Sequence, residues 1–405
     1  MVTSEKELHF GNPLWADHPS KQLPVDVIRK DLRTDVAIIG AGISGAMMAE
    51  ELASAGFKVV VLDKRFPGHG STMATTALLQ FEIDQPLTRL IPQIGFDNAA
   101  RAWRRSKLCL EGLAVRIKML GIRCGLTLQQ SLYLNGNVLN AAALSKELDL
   151  RNQIGLQTEL IKSKILLDQY GLHATAALRS YHNYSAHPYL LSNEFLLEAM
   201  KKRAQIYSPV TVRAITTSPR RVYLETSYGF TITARYAIFT TGYEVPEQLR
   251  NQPFSIYSTW AIATAKQPSS LIKNLPIIWQ AADPYLYLRS TPDGRIICGG
   301  EDEEFSNEEK RNALNSEKIP ALQKKLSKLL PAADTRADYA WSGAFGVTPT
   351  GLPLIGAVPG LYNCFAVMAF GGNGITWSRL GAEMVRNFIS GKKEPDEDLY
   401  RFRKK

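Results

Sequence analysis

Cysteine is scarce in this chain. The four present, Cys109, Cys124, Cys298 and Cys364, lie far apart and form no CxxC pair. That spacing offers neither a zinc-ligand set nor a disulfide framework, so free thiols in a reducing, cytoplasmic setting are the expectation. Long apolar runs are missing too. Nothing approaches the roughly 20 residues that a bilayer-spanning helix needs, and the polar opening MVTSEKELHF lacks the basic-then-apolar layout of a secretory leader. No internal repeat and no low-complexity tract is visible. A formal charge of +10 could draw nucleic acid or anionic lipid. The basic residues are scattered, however, apart from RFRKK at Arg401–Lys405, and no nucleic-acid recognition motif accompanies them. A solvated surface, with some pull on an anionic cofactor, accounts for the charge. Metal, nucleic acid and a membrane span are therefore not expected; a small-molecule substrate is. Nothing in the sequence sets the oligomeric state.

What is present is an ordinary globular composition, 45% apolar and 21% charged over 405 residues, long enough for two interleaved domains. The most informative stretch is residues 34–65, TDVAIIGAGISGAMMAEELASAGFKVVVLDKR. Asp35 to Ile39 reads as a buried parallel strand, Ile43 to Ala55 as a helix, and Lys58 to Leu62 as a second strand ending at Asp63. Between the first strand and the helix, Gly40 permits a sharp turn, Gly42 lets backbone approach a pyrophosphate, and Gly45 lets helix and strand pack closely. The helix amino terminus, at Ile43 and Ser44, offers unpaired N–H groups and partial positive charge to phosphates. Asp63, 23 residues after Gly40, can accept hydrogen bonds from both ribose hydroxyls. Strand, turn, helix, strand and acid in register point to a dinucleotide; the alternative is a chance glycine-rich turn in an α/β unit.

Residues 1–33 read as an extended arm. Helical periods cover 95–120, where Trp103, Leu110, Leu113, Ile117 and Leu120 share a face, then about 138–154 and Phe195–Ala204, the last preceded by a partial capping box at Ser192–Phe195. The middle turns β-rich at Val210–Ile215, which contains the cofactor candidate Val212, and then at Arg221–Thr226, Phe230–Ala234 and Tyr236–Thr240. Further strands are expected at Tyr285–Ser290 and Arg295–Gly299, joined through Pro292-Asp293-Gly294. An acidic loop and a basic helix fill 301–332, and a last helix starts near Ile375.

The chain resembles the FAD-dependent D-amino-acid-oxidase-like superfamily, which includes glycine oxidase, sarcosine oxidase and related amine oxidoreductases. The resemblance rests on the fingerprint above, on GHGSTMATTALL at Gly68–Leu79, on FTTGYE at Phe239–Glu244, and on GVTPTGLPLIGAVPGLYNCFAVMAFGGNGITWS at Gly346–Ser378. It implies an α/β protein: a Rossmann-like FAD-binding domain with a second, α+β substrate domain on a mostly antiparallel sheet. The FAD-binding domain would take residues 1–90, 185–255 and 335–405, and the substrate or cap domain 91–184 and 256–334. Lys64 and Arg65 would flank the adenosine ribose. Ser71, Thr72, Thr76 and Ala77 would meet pyrophosphate and ribityl chain, with Ser71 or Thr72 also able to cap a helix. Thr241 and Gly242 form a small-residue turn after the central strand. Gly371, Gly372, Asn373 and Gly374 precede the last helix, whose N–H groups at Ile375 and Thr376 would face the flavin O2 and N1 edge. Some relatives hold FAD covalently through a histidine where this chain has Thr75, or a cysteine near Gly343–Phe345, so the resemblance implies FAD held without a covalent bond.

The implied reaction is hydride removal from a carbon bearing an amine, which needs an unprotonated amine but no strong base. Ile297 stands where sarcosine oxidase-like enzymes carry an oxygen-activating lysine. Phe345 stands where glycine oxidase-like enzymes carry a carboxylate-binding arginine. Replacement pocket candidates are Arg289 as an anion clamp, with Tyr285 and Tyr287 on the same strand face, and His187 in YSAHPYLL. Surface and structural roles for Arg289 and His187 remain alternatives. Two other readings stay open: a reductase fed by NAD(P)H, for which a second strand–GxGxxG–helix unit is missing, and a flavin-binding protein without catalysis.

Overall fold

Residues 2–3, 5–17 and 23–403 are described by the computed structural model; residues 18–22 of the arm and the last two residues of RFRKK lie outside them. The strands Leu32–Ile39 and Val59–Leu62 run parallel, Val36 opposite Val59 and Ile39 opposite Leu62. Their last four residues are buried on both faces, as near-continuous aliphatic runs in a parallel sheet should be. Thr231–Phe239 joins Leu32–Ile39 from the other side, also parallel. With Cys364–Met368, Leu354–Ala357, Gln205–Tyr207 and the hairpin strands Val212–Thr217 and Val222–Thr226, these make an eight-stranded sheet. The remaining strands make a ten-stranded sheet. It is antiparallel except where Ile277–Gln280 runs parallel to Thr127–Leu134. The chain is therefore α/β with a Rossmann-like unit and a second unit on a mostly antiparallel sheet.

The fingerprint helix Ile43–Ser54 is buried along nearly its whole length, packed between the helices Pro188–Lys201 and Gly374–Ile389. A helix so enclosed has no solvent face on which to leave its acids. Glu51 is 5% exposed and is held by Arg379 at 2.6 Å and Arg386 at 2.5 Å. Glu50 is met by Arg116 and by Lys202. Burial pushes the Glu50 carboxyl up, but the paired Arg116 and Ser54 outweigh it and leave it below its usual range. Removing one partner would strand a buried charge, which makes these pairs fix the helix positions more than they add net stability.

Two sequence expectations shift. The helix expected at Phe195–Ala204 starts at Pro188, because His187 is its N-cap and Pro188 fills the first turn; Ser192–Phe195 lies inside it. The arm contains a strand, His9–Asn12, paired antiparallel with Ala337–Val347. That pairing joins residues more than 300 positions apart, so no local pattern announces it. Both of these strands belong to the ten-stranded sheet, although the expected division places their residues with the FAD-binding part. The long helix Phe96–Leu120, expected in the cap, packs against Gly374–Ile389 beside the smaller sheet.

Candidate functional site

Gly40 turns the chain at φ +107°, and a Cβ there would lie 2.5 Å from the Thr240 carbonyl oxygen. Gly45 is tighter still. Its added Cβ would fall 1.9 Å from the Gly40 carbonyl oxygen, so the helix can sit on the turn only without a side chain at this position. Thr72 reaches the helix start, its hydroxyl accepting from the Ile43 N–H at 2.9 Å. The second helix amino terminus, at Asn373–Gly374, meets the first one: Ser44 and Ser378 share a hydrogen bond of 2.7 Å between their hydroxyls. Two helix dipoles thus open onto one cavity.

That cavity encloses about 1740 Å³ of empty space, counting its open mouth. Its lining begins at Val2, Asp63, Lys64, Arg65 and Val212, passes Gly40, Gly42, Ile43 and Ser44, then Ser71, Thr72, Thr76, Thr241 and Gly242, and reaches Gly372, Asn373, Gly374 and Ile375. Asp63 accepts from the Ala41 N–H at 2.5 Å and the Arg65 N–H at 2.8 Å. Burial pushes its carboxyl up to about 6 despite those two donors. Each carboxylate oxygen keeps further acceptor capacity for a ribose hydroxyl. Lys64 and Arg65 pair with Glu244 at 2.8 and 2.6 Å; burial raises Glu244, and the Arg65 and Lys64 bonds more than reverse it. The two cations therefore shape this end through Glu244, a residue the sequence reading passed over within FTTGYE.

Five candidates do not line the cavity. Gly45 lies beneath the turn. Ala77, buried at φ +53°, carries the chain on behind Thr76. The Thr376 hydroxyl donates to the Gln80 carbonyl at 2.8 Å. His187 caps its helix, Nδ1 accepting from the Leu190 N–H at 3.3 Å, while its ring rests on Trp15 at 4.6 Å. Arg289 is the main correction. It shares the strand face of Tyr285 and Tyr287, as alternation requires, but lies beyond the cavity floor and is 2% exposed. Its guanidinium donates to the carbonyls of Thr76 at 2.7 Å, Ser290 at 3.1 Å and Ala186 at 3.1 Å. Burial lowers it to about 9. Each of its three nitrogens donates to backbone, so it braces the Thr76–Ala77 turn, and it does not line the cavity where a substrate anion would lie. Ile297, its cross-strand partner, is fully buried, and Phe345 does line the cavity.

The far end of the cavity holds what the sequence reading missed. From Gln80 to Asp84 the residues alternate: Phe81 and Ile83 enter the core, and Gln80, Glu82 and Asp84 line the cavity. The period-two pattern in QFEID was the available signal. Asp84 accepts from the Gly372 N–H at 2.7 Å, and the Asn373 side-chain amide donates to the Glu82 carbonyl at 2.5 Å, so this run fixes the glycine loop. Burial pushes the Asp84 carboxyl up to about 6. Tyr285, Tyr287, Thr259 and Trp279 close the wall from the larger sheet. Tyr287 lies flat against Gly299, where a Cβ would come within 2.5 Å of the ring.

The pieces fit FAD. A long cavity with two helix amino termini, a glycine turn without Cβ atoms and an acid at the second strand's end suits an extended dinucleotide. The Ser71 hydroxyl and the Gln80 side-chain amide line it and have no partner, as polar groups awaiting phosphate or ring acceptors would. The comparisons agree. The family described as FAD-dependent oxidoreductase, DAO, matches residues 35–387, and the chain belongs to that family. It is similar to the gamma-glutamylputrescine oxidoreductase of Escherichia coli K12, 24% identical over 398 residues covering 94% of this chain and 89% of that one. Among solved structures it resembles glycine oxidase from Geobacillus kaustophilus, with a TM-score of 0.74, 20% identity and coverage of 92% and 99%. L-proline dehydrogenase from P. horikoshii gives a TM-score of 0.74 at 20% identity, covering 91% and 97%. The protein is an FAD-dependent oxidoreductase.

Proposed function

We propose that the chain oxidises the carbon–nitrogen bond of an amine, with FAD held non-covalently. The observation that carries this reading is the single cavity itself. It runs from the Asp63 end past both helix amino termini and finishes on an aromatic wall supplied by a different sheet, so cofactor and substrate share one continuous space. Bound FAD supplies an acceptor for a hydride equivalent. The chain's own residues bind and orient. Asp63 and the Val212 backbone region receive the adenosine, Ile43 and Ser44 with Ser71 and Thr72 receive the diphosphate, and the helix start at Gly374–Ile375 faces the ring edge. A helix amino terminus there favours negative charge on whatever accepts electrons. Tyr285, Tyr287, Trp279 and Phe345 exclude water and press the substrate carbon towards the ring. Neither Thr75 nor the stretch Gly343–Phe345, all lining the cavity, offers a histidine or cysteine for a covalent link.

In this reading residues 1–90, 185–255 and 335–405 supply the FAD-binding part, although His9–Asn12, Leu78–Leu79 and Ala337–Val347 lie in the larger sheet, and the remainder supplies the substrate part. The amine chemistry is supported by gamma-glutamylputrescine oxidoreductase, glycine oxidase and L-proline dehydrogenase among the similar proteins. Among the described residues no helix is long and apolar enough to cross a membrane, and all four cysteines are buried and unpaired, in keeping with a reducing cytoplasm. The test is anaerobic mixing of the purified yellow protein with a panel of amines and amino acids. Bleaching of the flavin band by amines supports the proposal; bleaching by NADPH alone would replace it with a reductase.

A further inference from the structure

We propose that the substrate end of the cavity is built for a cation: a substrate that carries, besides the amine to be oxidised, a second positively charged nitrogen and no carboxylate, as a short diamine does. This deepens the amine-oxidoreductase reading and rests on it. The argument starts from Glu82, which is 2% exposed. Its Oε1 accepts from Ser131 and, at 3.3 Å, from Asn183. Its Oε2 is buried and has no partner at all. A carboxylate is an acceptor only, so a buried, unmatched oxygen in a cavity-lining residue calls for an N–H donor from a ligand.

Asp302 repeats the observation from the larger sheet. It stands behind Tyr285 and Thr259, beside their hydroxyls, yet neither of its buried oxygens has a fully formed hydrogen bond. Asp84 and Glu301 are near enough to act on it as like charges. Acids are thus gathered from two directions with too few donors among them. A cation in the cavity would supply donors to Glu82 and Asp84, which line it, and would feel Asp302, which lies behind the wall, through its charge.

The distribution of positive charge argues the same way. Among the described residues, the lysines and arginines lining the cavity are Lys64 and Arg65. Both sit at the adenosine end and both are paired with Glu244. Arg289 lies outside the cavity lining and gives three of its N–H donors to backbone carbonyls. An amino-acid carboxylate would enter an acidic, arginine-free space and find no counter-charge. An ammonium would find carboxylates and the faces of Trp279, Tyr285 and Tyr287, which attract cations through their ring electrons.

The chemistry assigns the acids to a second nitrogen. Hydride leaves a carbon whose amine is neutral, and a carboxylate beside that amine would hold it protonated. Acids at the reacting nitrogen would hinder the reaction, whereas acids at a distant ammonium fix the substrate's register without touching the reacting bond.

The test uses FAD-loaded protein and three four-carbon probes, 1,4-diaminobutane, butylamine and 4-aminobutanoate, read by the shift each gives in the unfolding temperature. We expect 1,4-diaminobutane to bind about tenfold or more tighter than 4-aminobutanoate, the worth of a hydrogen bond to a buried charge, with butylamine between. Glu82→Gln should erase most of the diamine preference and Asp302→Asn a smaller part of it, while the flavin absorbance per protein stays unchanged. Equal or tighter binding of 4-aminobutanoate, no binding of the diamine, or an undiminished diamine preference in both variants overturns the inference. The probe comparison on the unaltered protein decides the matter even where a variant fails to fold. Bleaching by amines without a diamine preference would sink this inference and spare the proposed function. A diamine shift with no bleaching by any amine would do the reverse.

Discussion

The two ends of the cavity are built by opposite strategies. At the adenosine and diphosphate end, the turn, the helix start and the acid come from one run of 32 residues, 34–65. Their geometry follows from local rules: a glycine where φ is +107°, a helix amino terminus aimed at anions, a carboxylate closing the next strand. At the substrate end, Glu82, Thr259, Trp279, Tyr287 and Phe345 arrive from five separate stretches and meet only because two sheets face one cavity. The first end can be specified by sequence because, in the proposed function, backbone groups do the binding. The second is specified by side chains whose neighbours are fixed by tertiary packing, so it can change its substrate while the first keeps its cofactor.

Breaking the first end should have the largest effect. Gly45→Val places a side chain 1.9 Å from the Gly40 oxygen at its first atom, and neither backbone segment can retreat, because the helix is buried on all sides. We expect the variant to lose FAD altogether and to unfold at markedly lower temperature, by several kcal/mol of lost stability. Flavin content by absorbance and a thermal melt give the answer; a yellow Gly45→Val protein of normal stability would refute the packing argument.

Arg289 tests the brace between the ends. Arg289→Ala leaves the buried Thr76 and Ala186 carbonyls without their donor, at a cost of about 3 kcal/mol. The Ala77 turn at φ +53° loses its support with them. FAD should bind more weakly as a consequence, and the discrimination among amines should not change. Had the residue been an anion clamp, stability would stay and affinity for anionic substrates would fall, so chemical denaturation beside substrate binding separates the two roles.

These cases also mark how far the sequence could be read. The fingerprint strand, helix and acid were legible because period, glycine spacing and chain direction all act within a few turns. The alternation of Tyr285, Tyr287 and Arg289 was legible as a face, but where the cavity floor falls along that face depends on Thr76 and Ala186, far off in sequence. His187 before a proline read as a pocket histidine, and packing makes it a helix cap. The acids of QFEID carried a period-two signal with only a two-residue strand, Leu78–Leu79, beside it, too short to register as a strand. The pairing of His9–Asn12 with Ala337–Val347 had no local trace.

A milder change compares the ends through their acids. Asp63→Ala should weaken FAD binding about tenfold to a hundredfold, the loss of hydrogen bonds to a charged acceptor, as measured by flavin release on dilution. The same substitution should leave the FAD-free protein no less stable at pH 8, since a carboxyl raised to about 6 by burial is held there against its preference. Retention of full flavin affinity would count against the ribose role.

The smallest effect, and the one that reaches the substrate end most directly, is the pH dependence set by Asp302. Burial is the main cause that raises its carboxyl from 3.8 to about 7, against the Thr259 and Tyr285 hydroxyls that oppose the rise, with Asp84 and Glu301 adding to it. Between those two values the folded protein holds a proton that the unfolded chain has released. Stability must therefore fall as pH rises across that window, by at most about 1.4 kcal/mol per pH unit for this one group. Below 3.8 both states are protonated, and above 7 both are ionised, so the slope from Asp302 vanishes outside the window. Asp302→Asn removes that slope, and its stability should gain on the unaltered protein as pH rises from 4.5 to 6.5. A dication bound among the acids acts in the opposite direction by favouring the ionised form. Its binding near pH 6.5 should accordingly release protons, visible as a buffer-dependent heat of binding that Asp302→Asn abolishes. Identical pH profiles for the two proteins would mean that Asp302 is solvated in the folded state, and the contrast between a backbone-built and an acid-built end would then rest on Glu82 and Asp84.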